Sequence, residues 1–251
     1  TFNAQRISQA EYGLQAEVRR INLAAAAIAR SEAERMSALT PDKPRFVAGS
    51  VGPTGKTASM SPDVDDPAYR AIDFDTLQQA YYEQMEALMD GGVDMFLIET
   101  AFDTLNVKAA LAAADNLFSC RAKRLPIMLS VTIADAAGRM LSGQSMEALL
   151  ASVAHAELFS VGLNCSFGAE QMLPFLKQLS AAPYFVSAYP NAGIPDFGDP
   201  TMLEWAVNAL DDSIDIIKEL INFKDSFSLK FKRLNLPIKK IHAIFASYID
   251  N

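Results

Sequence analysis

Three stretches of this sequence hold residue types that do chemistry. In Ser160-Val161-Gly162-Leu163-Asn164-Cys165-Ser166-Phe167-Gly168, a carboxamide and a thiol directly follow an apolar run. Leu158 to Leu163 reads as a short buried strand, so Asn164 and Cys165 fall at its carboxyl end, before a glycine-punctuated loop. A thiol there can serve as a soft metal ligand or as a nucleophile. It can equally be ordinary packing, because free cysteine is among the most buried residue types. The second stretch is Val93 to Ile98 with Glu99-Thr100 at its end. A carboxylate directly after a buried strand is costly without a partner. Glu99 therefore either pairs with a neighbouring loop or faces an open mouth, ready to hold an ammonium group. The third stretch, Gly52-Pro53-Thr54-Gly55-Lys56-Thr57, ends like a phosphate-binding loop. The opening glycine of that motif is replaced by Ser50, and no helix comes after it. The next residues, Ala58 to Pro67, contain two prolines and three acids whose charge repels phosphate, so the phosphate reading fails.

The elements that must position these residues alternate. Strands are expected at 45–51, 93–98, 126–133, 158–163 and 184–188. Gln5 to about Ser37 reads as helical, with Leu14, Val18, Ile21, Ala25 and Ile28 at helical spacing. Further helices are expected at 73–90, with Leu77, Tyr81, Met85 and Leu88 on one face, and at 103–118, where Asp103 can cap the start. Two more are expected at 145–155 and 169–179; His155, near the end of the first, suits the last carbonyls better than catalysis. Strand–helix alternation of this kind predicts an α/β fold built from βαβ units on a parallel sheet, and in an α/β barrel chemistry sits at the carboxyl ends of the strands. Only five strands are clear, whereas a closed barrel needs eight.

With 251 residues, half of them apolar and about a fifth charged, the chain can bury one sizeable core. A net charge of −8 argues against nucleic acid or an anionic membrane as partner. No apolar run approaches a membrane span, and the N-terminus has no signal-peptide pattern. Two cysteines in a chain this long, Cys120 and Cys165, make no disulfide framework, which fits a reducing cytoplasm. Thr1 is not an initiator Met, which suits a chain that begins inside a larger protein. Near residue 200 the composition shifts. No Gly occurs after Gly198, and the residues from Asp211 turn to Ile, Lys, Phe and Asn, with helical spacing at Ile214-Ile217-Leu220-Ile221 and strand-like alternation over 227–231. The expectation is a body over 1–200 and a divergent, helical tail over 201–251.

The body resembles the homocysteine-binding domain of cobalamin-dependent methionine synthase. The residues that carry the resemblance are Thr1-Phe2-Asn3-Ala4, Phe46 to Thr54 with Ser61-Pro62-Asp63-Val64, Glu99 to Asn106, Leu141-Ser142-Gly143-Gln144, Gly162-Leu163-Asn164-Cys165 and Ser187 to Gly193. The resemblance implies a (β/α)8 TIM barrel. It also implies a zinc ion that binds the homocysteine sulfur and a methyl group arriving from methylcobalamin, to make methionine. Cys165 matches the first zinc-ligand cysteine, and Glu99 matches the glutamate that holds the amino group of homocysteine. Thr1, Asn164 and Asn191 match positions near the substrate. The expected partners are the cobalamin- and folate-binding modules.

The sequence also departs from that pattern. The family's adjacent cysteine pair is missing, for no cysteine occurs after Cys165, and one thiolate is too few to hold catalytic zinc. The family's first strand would precede Thr1. The barrel is therefore expected to be incomplete, spanning about strands 2–7, and the isolated chain weakly active or inactive. Alternatives are a fragment that depends on a partner chain, or a homocysteine methyltransferase using another methyl donor. Size-exclusion chromatography separates the fragment reading, since a stable monomer that melts cooperatively counts against an obligate fragment.

Overall fold

A computed structural model describes residues 1–191. The tail over 201–251 and the proposed boundary near residue 200 lie outside the described residues. Five strands form one sheet: β1 (Ala48–Val51), β2 (Met95–Ala101), β3 (Ile127–Val131), β4 (Ser160–Asn164) and β5 (Phe185–Tyr189). They pair in sequence order, each neighbour parallel. The helices are α1 (Arg6–Gln9), α2 (Val18–Leu39), α3 (Phe74–Asp90), α4 (Thr104–Arg121), α5 (Met146–Val153) and α6 (Ala169–Ser180).

Strand order that never reverses has a direct consequence. Right-handed crossovers place every connecting helix on the same face of the sheet. A doubly wound sheet would reverse its order partway and carry helices on both faces. The sheet is therefore an arc of a (β/α) barrel, helices outside and one face inward. Phe96, Ile98, Leu129, Val161 and Leu163 pack into the large core under the helices. Met95, Met128 and Phe159, with Leu97 and Phe185 against them, form a second, smaller cluster on the opposite face. The rings of Phe159 and Phe185 lie 5.0 Å apart there. The strand register carries this inner face upward from apolar to polar, through Ser50, Glu99, Ser130, Gly162, Asn164 and Ser187 toward the carboxyl ends.

All five expected strands exist, but three run further than the sequence reading places them, β5 by one residue to Tyr189. Strand β2 continues through Glu99 and Thr100 to Ala101, and β4 includes Asn164. The N-terminal helical stretch is corrected. Gly13, at φ 68, breaks it in the left-handed region, and short 3-10 turns at Ala10–Tyr12 and Gln15–Glu17 precede α2. The buried stripe of α2 also differs: it is Val18, Asn22 and Ala26, while Leu14 and Ile28 are exposed. The cause is polar. The Asn22 carboxamide donates to Ala4 O (2.7 Å) and Val18 O (2.8 Å), which turns that face inward. The cap read from sequence for α4 holds, with Asp103 accepting from Leu105 N (2.8 Å), and Asp73 likewise caps α3, accepting from Thr76 N (2.7 Å). His155 is exposed in the turn after α5. No helix among the described residues is long and apolar enough to cross a membrane.

These elements can be tested at two positions. A Cβ on Gly162 would lie 2.1 Å from both Ser187 O and Ser187 Oγ, a backbone contact that cannot yield cheaply. Gly162→Ala should therefore destabilise the fold by about 1–3 kcal/mol, read as a lower urea midpoint; an unchanged midpoint would mean that β4 and β5 are not packed this closely. The Thr76 N–H holds the exposed Asp73 carboxyl below its usual value of 3.8. A lowered carboxylate pKa contributes stability above the unfolded value, and that contribution is lost as pH falls through the folded value. Asp73→Asn keeps the cap but removes the charge, so thermal melts between pH 5 and pH 2 should fall less steeply than in the wild type; identical slopes would contradict the assignment.

Candidate functional site

The site is built where the polar end of the inner face meets the carboxyl ends of β1, β2, β3 and β4. Asn164, last residue of β4, is 3 % exposed and has both carboxamide heteroatoms engaged. Its Oδ1 accepts from Thr100 N (3.0 Å) on β2 and from Ser130 Oγ (2.7 Å) on β3. Its Nδ2 donates to Thr100 Oγ1 (2.7 Å) and lies 3.3 Å from Cys165 Sγ. One side chain thus ties three strands and the thiol together. The Asn164 backbone adds to this, because its carbonyl accepts from Thr132 Oγ1 (3.0 Å) and Ser166 Oγ (3.1 Å).

Cys165 is exposed and unbridged, so its sulfur is at the surface and not packed among aliphatic groups. Its backbone lies at φ 54, and that of Thr100 at φ 55. Left-handed backbone at non-glycine residues costs about 1–3 kcal/mol and persists only where its surroundings hold it. Here the two strained residues face each other across β3, with Thr100 Oγ1 4.0 Å from Cys165 Sγ. The ladder between β2 and β3 is also irregular at this point. Ile98 pairs with Leu129 and Ala101 with Val131, so two residues of β2, Glu99 and Thr100, stand opposite Ser130 alone. That is a β-bulge.

Glu99 is half-buried and accepts from Ser50 Oγ on β1. Ser50 O in turn accepts from Thr1 Oγ1 (2.7 Å), and Gln84 donates to Thr1 O (2.7 Å). Residues 1–3 form no strand, but they run beside the end of β1, where Gly52 N donates to Phe2 O (2.9 Å). Of the residues expected at the site, Thr1 and Glu99 form one row through Ser50, and Asn164 and Cys165 form a second. Thr100 joins the two rows. Asn164 sits beneath the mouth as a clamp rather than lining it openly. Asn191 is exposed beyond β5, its N–H donating to Phe167 O (2.9 Å) in the loop after β4.

A cleft beside Glu99 is lined by Gly52, Pro53, Tyr81, Phe102 and Asp103. The loop that resembles a phosphate motif forms its rim. Asn106 fixes that loop by accepting from Ala58 N (3.0 Å) and donating to Thr54 Oγ1 (3.2 Å) and Lys56 O (3.0 Å). Asp103, 1 % exposed, holds Ser59 through its backbone N–H and hydroxyl. Those amides and carbonyls are occupied by the loop's own scaffold, so they do not cradle an anion. Burial pushes the Tyr81 hydroxyl above the usual tyrosine range, which keeps it neutral.

The sequence reading missed Thr100, Ser50 and Ser130. Ser130 gives a signal, being the one polar residue in the otherwise apolar Ile127–Val131, where a buried hydroxyl demands a partner. Among the described residues no group of three His, Cys, Asp or Glu side chains could hold a metal ion. Cys120, the other cysteine, lies near the end of α4, on the outer layer.

The clamp makes a direct prediction. Asn164→Ala would leave Thr100 N and Ser130 Oγ without their acceptor, at roughly 1–3 kcal/mol for each buried group left unpaired. The melting temperature should drop by several degrees; a drop no larger than that of a surface alanine substitution would show that the carboxamide does not hold these strands.

Comparisons with known proteins bear on the fold and the family. The oxidized form of the homocysteine methyltransferase MmuM from Escherichia coli superposes with a TM-score of 0.64 at 22 % identity, covering 86 % of this chain and 69 % of that one. The metallated form gives 0.63 at 23 % identity, covering 82 % and 69 %. The apo form gives 0.57 at 22 %, covering 76 % and 65 %. Identity this low establishes the shared fold and nothing finer. The family model for homocysteine S-methyltransferase matches residues 1–221. The chain belongs to the homocysteine S-methyltransferase family.

Proposed function

We propose that this chain is the homocysteine-binding part of a methyltransferase of the methionine synthase type, working in a reducing cytoplasm. The observation that carries the reading is the exposed Cys165 thiol at the carboxyl end of β4, in one hydrogen-bonded cluster with the β2 bulge that bears Glu99. Glu99 is the acceptor for the ammonium group of homocysteine, with Ser50 holding its carboxylate. Thr1 supports that row from the edge of β1, and Asn191 stands beyond β5, the strand next to β4. The substrate sulfur then lies on the β4 side, beside Cys165. Asn164 keeps the two rows at fixed separation, so that binding presents the sulfur in one orientation.

Zinc would supply a Lewis acid that keeps the substrate sulfur as thiolate at neutral pH, and the metallated form of MmuM is a protein of this fold that takes a metal. Among the described residues no zinc site is complete. Cys165 offers one thiolate, and catalytic zinc takes three protein ligands. The remaining donors would lie outside the described residues. The methyl donor is methylcobalamin, carried with the folate-binding part on separate modules. The resemblance of Ser61-Pro62-Asp63-Val64 and Ser187 to Gly193 to the cobalamin-dependent type favours this donor over the alternatives.

The test is metal content together with methyl transfer from methylcobalamin to homocysteine. The isolated chain should hold well under one equivalent of zinc and transfer methyl groups slowly or not at all. Completing it with a segment that carries an adjacent cysteine pair should bring both. Stoichiometric zinc in the isolated chain would contradict the incomplete site, and failure of the completed protein to methylate homocysteine would contradict the enzyme reading. In the completed protein, Glu99→Gln should raise the KM for homocysteine about tenfold or more, as expected when one charge-assisted hydrogen bond is lost. An unchanged KM would remove Glu99 from the substrate.

A further inference from the structure

We propose that Thr100 is a positioning residue of this site, and that the one-residue bulge at Glu99-Thr100 is what turns its hydroxyl inward, beside Asn164 and the Cys165 thiol in the mouth that Glu99 also faces. The proposal deepens the homocysteine reading and rests on it for the identity of the ligand. In a regular strand successive side chains point to opposite faces. Glu99 faces inward with Met95 and Leu97, so Thr100 in regular geometry would point out into the helix layer. The bulge changes this. With Glu99 and Thr100 both opposite Ser130, the ladder advances one extra residue on β2 and resumes at Ala101–Val131. The side-chain contacts record the result. Glu99 reaches Ser50 on β1, while Thr100 Oγ1 reaches Asn164 and Cys165 at the end of β4, all at the inner, carboxyl-terminal end. Ala101 then returns to the core under the helices.

The bulge requires Thr100 at φ 55, an unfavourable backbone for a β-branched residue. Both ends of the Asn164 carboxamide hold it there, one on the Thr100 N–H and one on its hydroxyl oxygen. With its oxygen accepting from Asn164, the hydroxyl hydrogen is left to point toward Cys165 Sγ at 4.0 Å. Thr100 thus acts through its neighbours: Asn164 fixes its hydroxyl, and that hydroxyl sets the side of β4 on which the sulfur sits.

Two substitutions separate positioning from packing. Thr100→Val keeps the shape and removes the hydroxyl; Thr100→Ser keeps the hydroxyl. With the full chain, circular dichroism first confirms folding of each. Homocysteine affinity by calorimetry should weaken about tenfold in Thr100→Val, the loss of roughly one hydrogen bond, and stay within about twofold of wild type in Thr100→Ser. Equal binding by Thr100→Val and wild type, or equal loss in both variants, would overturn the proposal. If the wild type itself binds no homocysteine, the functional reading fails, and crystal structures of the two variants decide the positioning claim. The Cys165 side chain should turn away from β2 in Thr100→Val and keep its place in Thr100→Ser. An unmoved sulfur in Thr100→Val would overturn it.

Discussion

The Asn164 carboxamide is the interaction on which the rest of the site depends. A primary amide has two acceptor lone pairs and two donor hydrogens, and here all four directions are used among β2, β3 and the adjoining thiol. Because the group is buried, each bond is stronger than it would be in water, and each would be costly to lose. Two left-handed residues, Thr100 and Cys165, flank it. Isolated, such backbone would relax; bonded to one rigid amide, both stay fixed. The arrangement concentrates strain at the strand ends and leaves the lower sheet regular.

The lower sheet supplies the rigid base that this strain needs. Met95, Met128 and Phe159 close the inner face beneath the polar row, and the helices cover the outer face with an extensive apolar core. Small residues on the inner face, Gly162 and Ser187 among them, let β4 and β5 approach closely. Around the mouth, loops are fixed by side chains rather than by regular ladders: Asn106 and Asp103 hold residues 54–59. A carboxylate, a thiol and their supports therefore sit at strand ends and not on free loops, which holds them in fixed orientation.

Much of this is legible in the sequence. Alternating apolar runs and Ala-rich helical stretches place all five strands and point to a parallel sheet. Turn residues after Leu163 and the polar pair after Ile98 point to Asn164, Cys165 and Glu99. Three things are not legible, each for a physical reason. The α2 face is misread because its inward stripe is organised by a polar residue, Asn22, which an apolar count passes over. The break at Gly13 is hidden inside a helical period. The bulge is invisible because Glu99-Thr100 contains no glycine to announce a positive φ. The strain at Thr100 is tolerated only through a contact with Asn164, 64 residues away in sequence, which no local pattern encodes.

The central claim is that Glu99 and Cys165 address two ends of one homocysteine molecule. A crystal structure of this chain with homocysteine bound tests it most directly. The account predicts the substrate ammonium on the Glu99 carboxylate and the substrate sulfur on the β4 side, beside Cys165 Sγ. A ligand seated elsewhere, with Glu99 still bonded to Ser50 alone and the Cys165 sulfur facing only solvent, would contradict it.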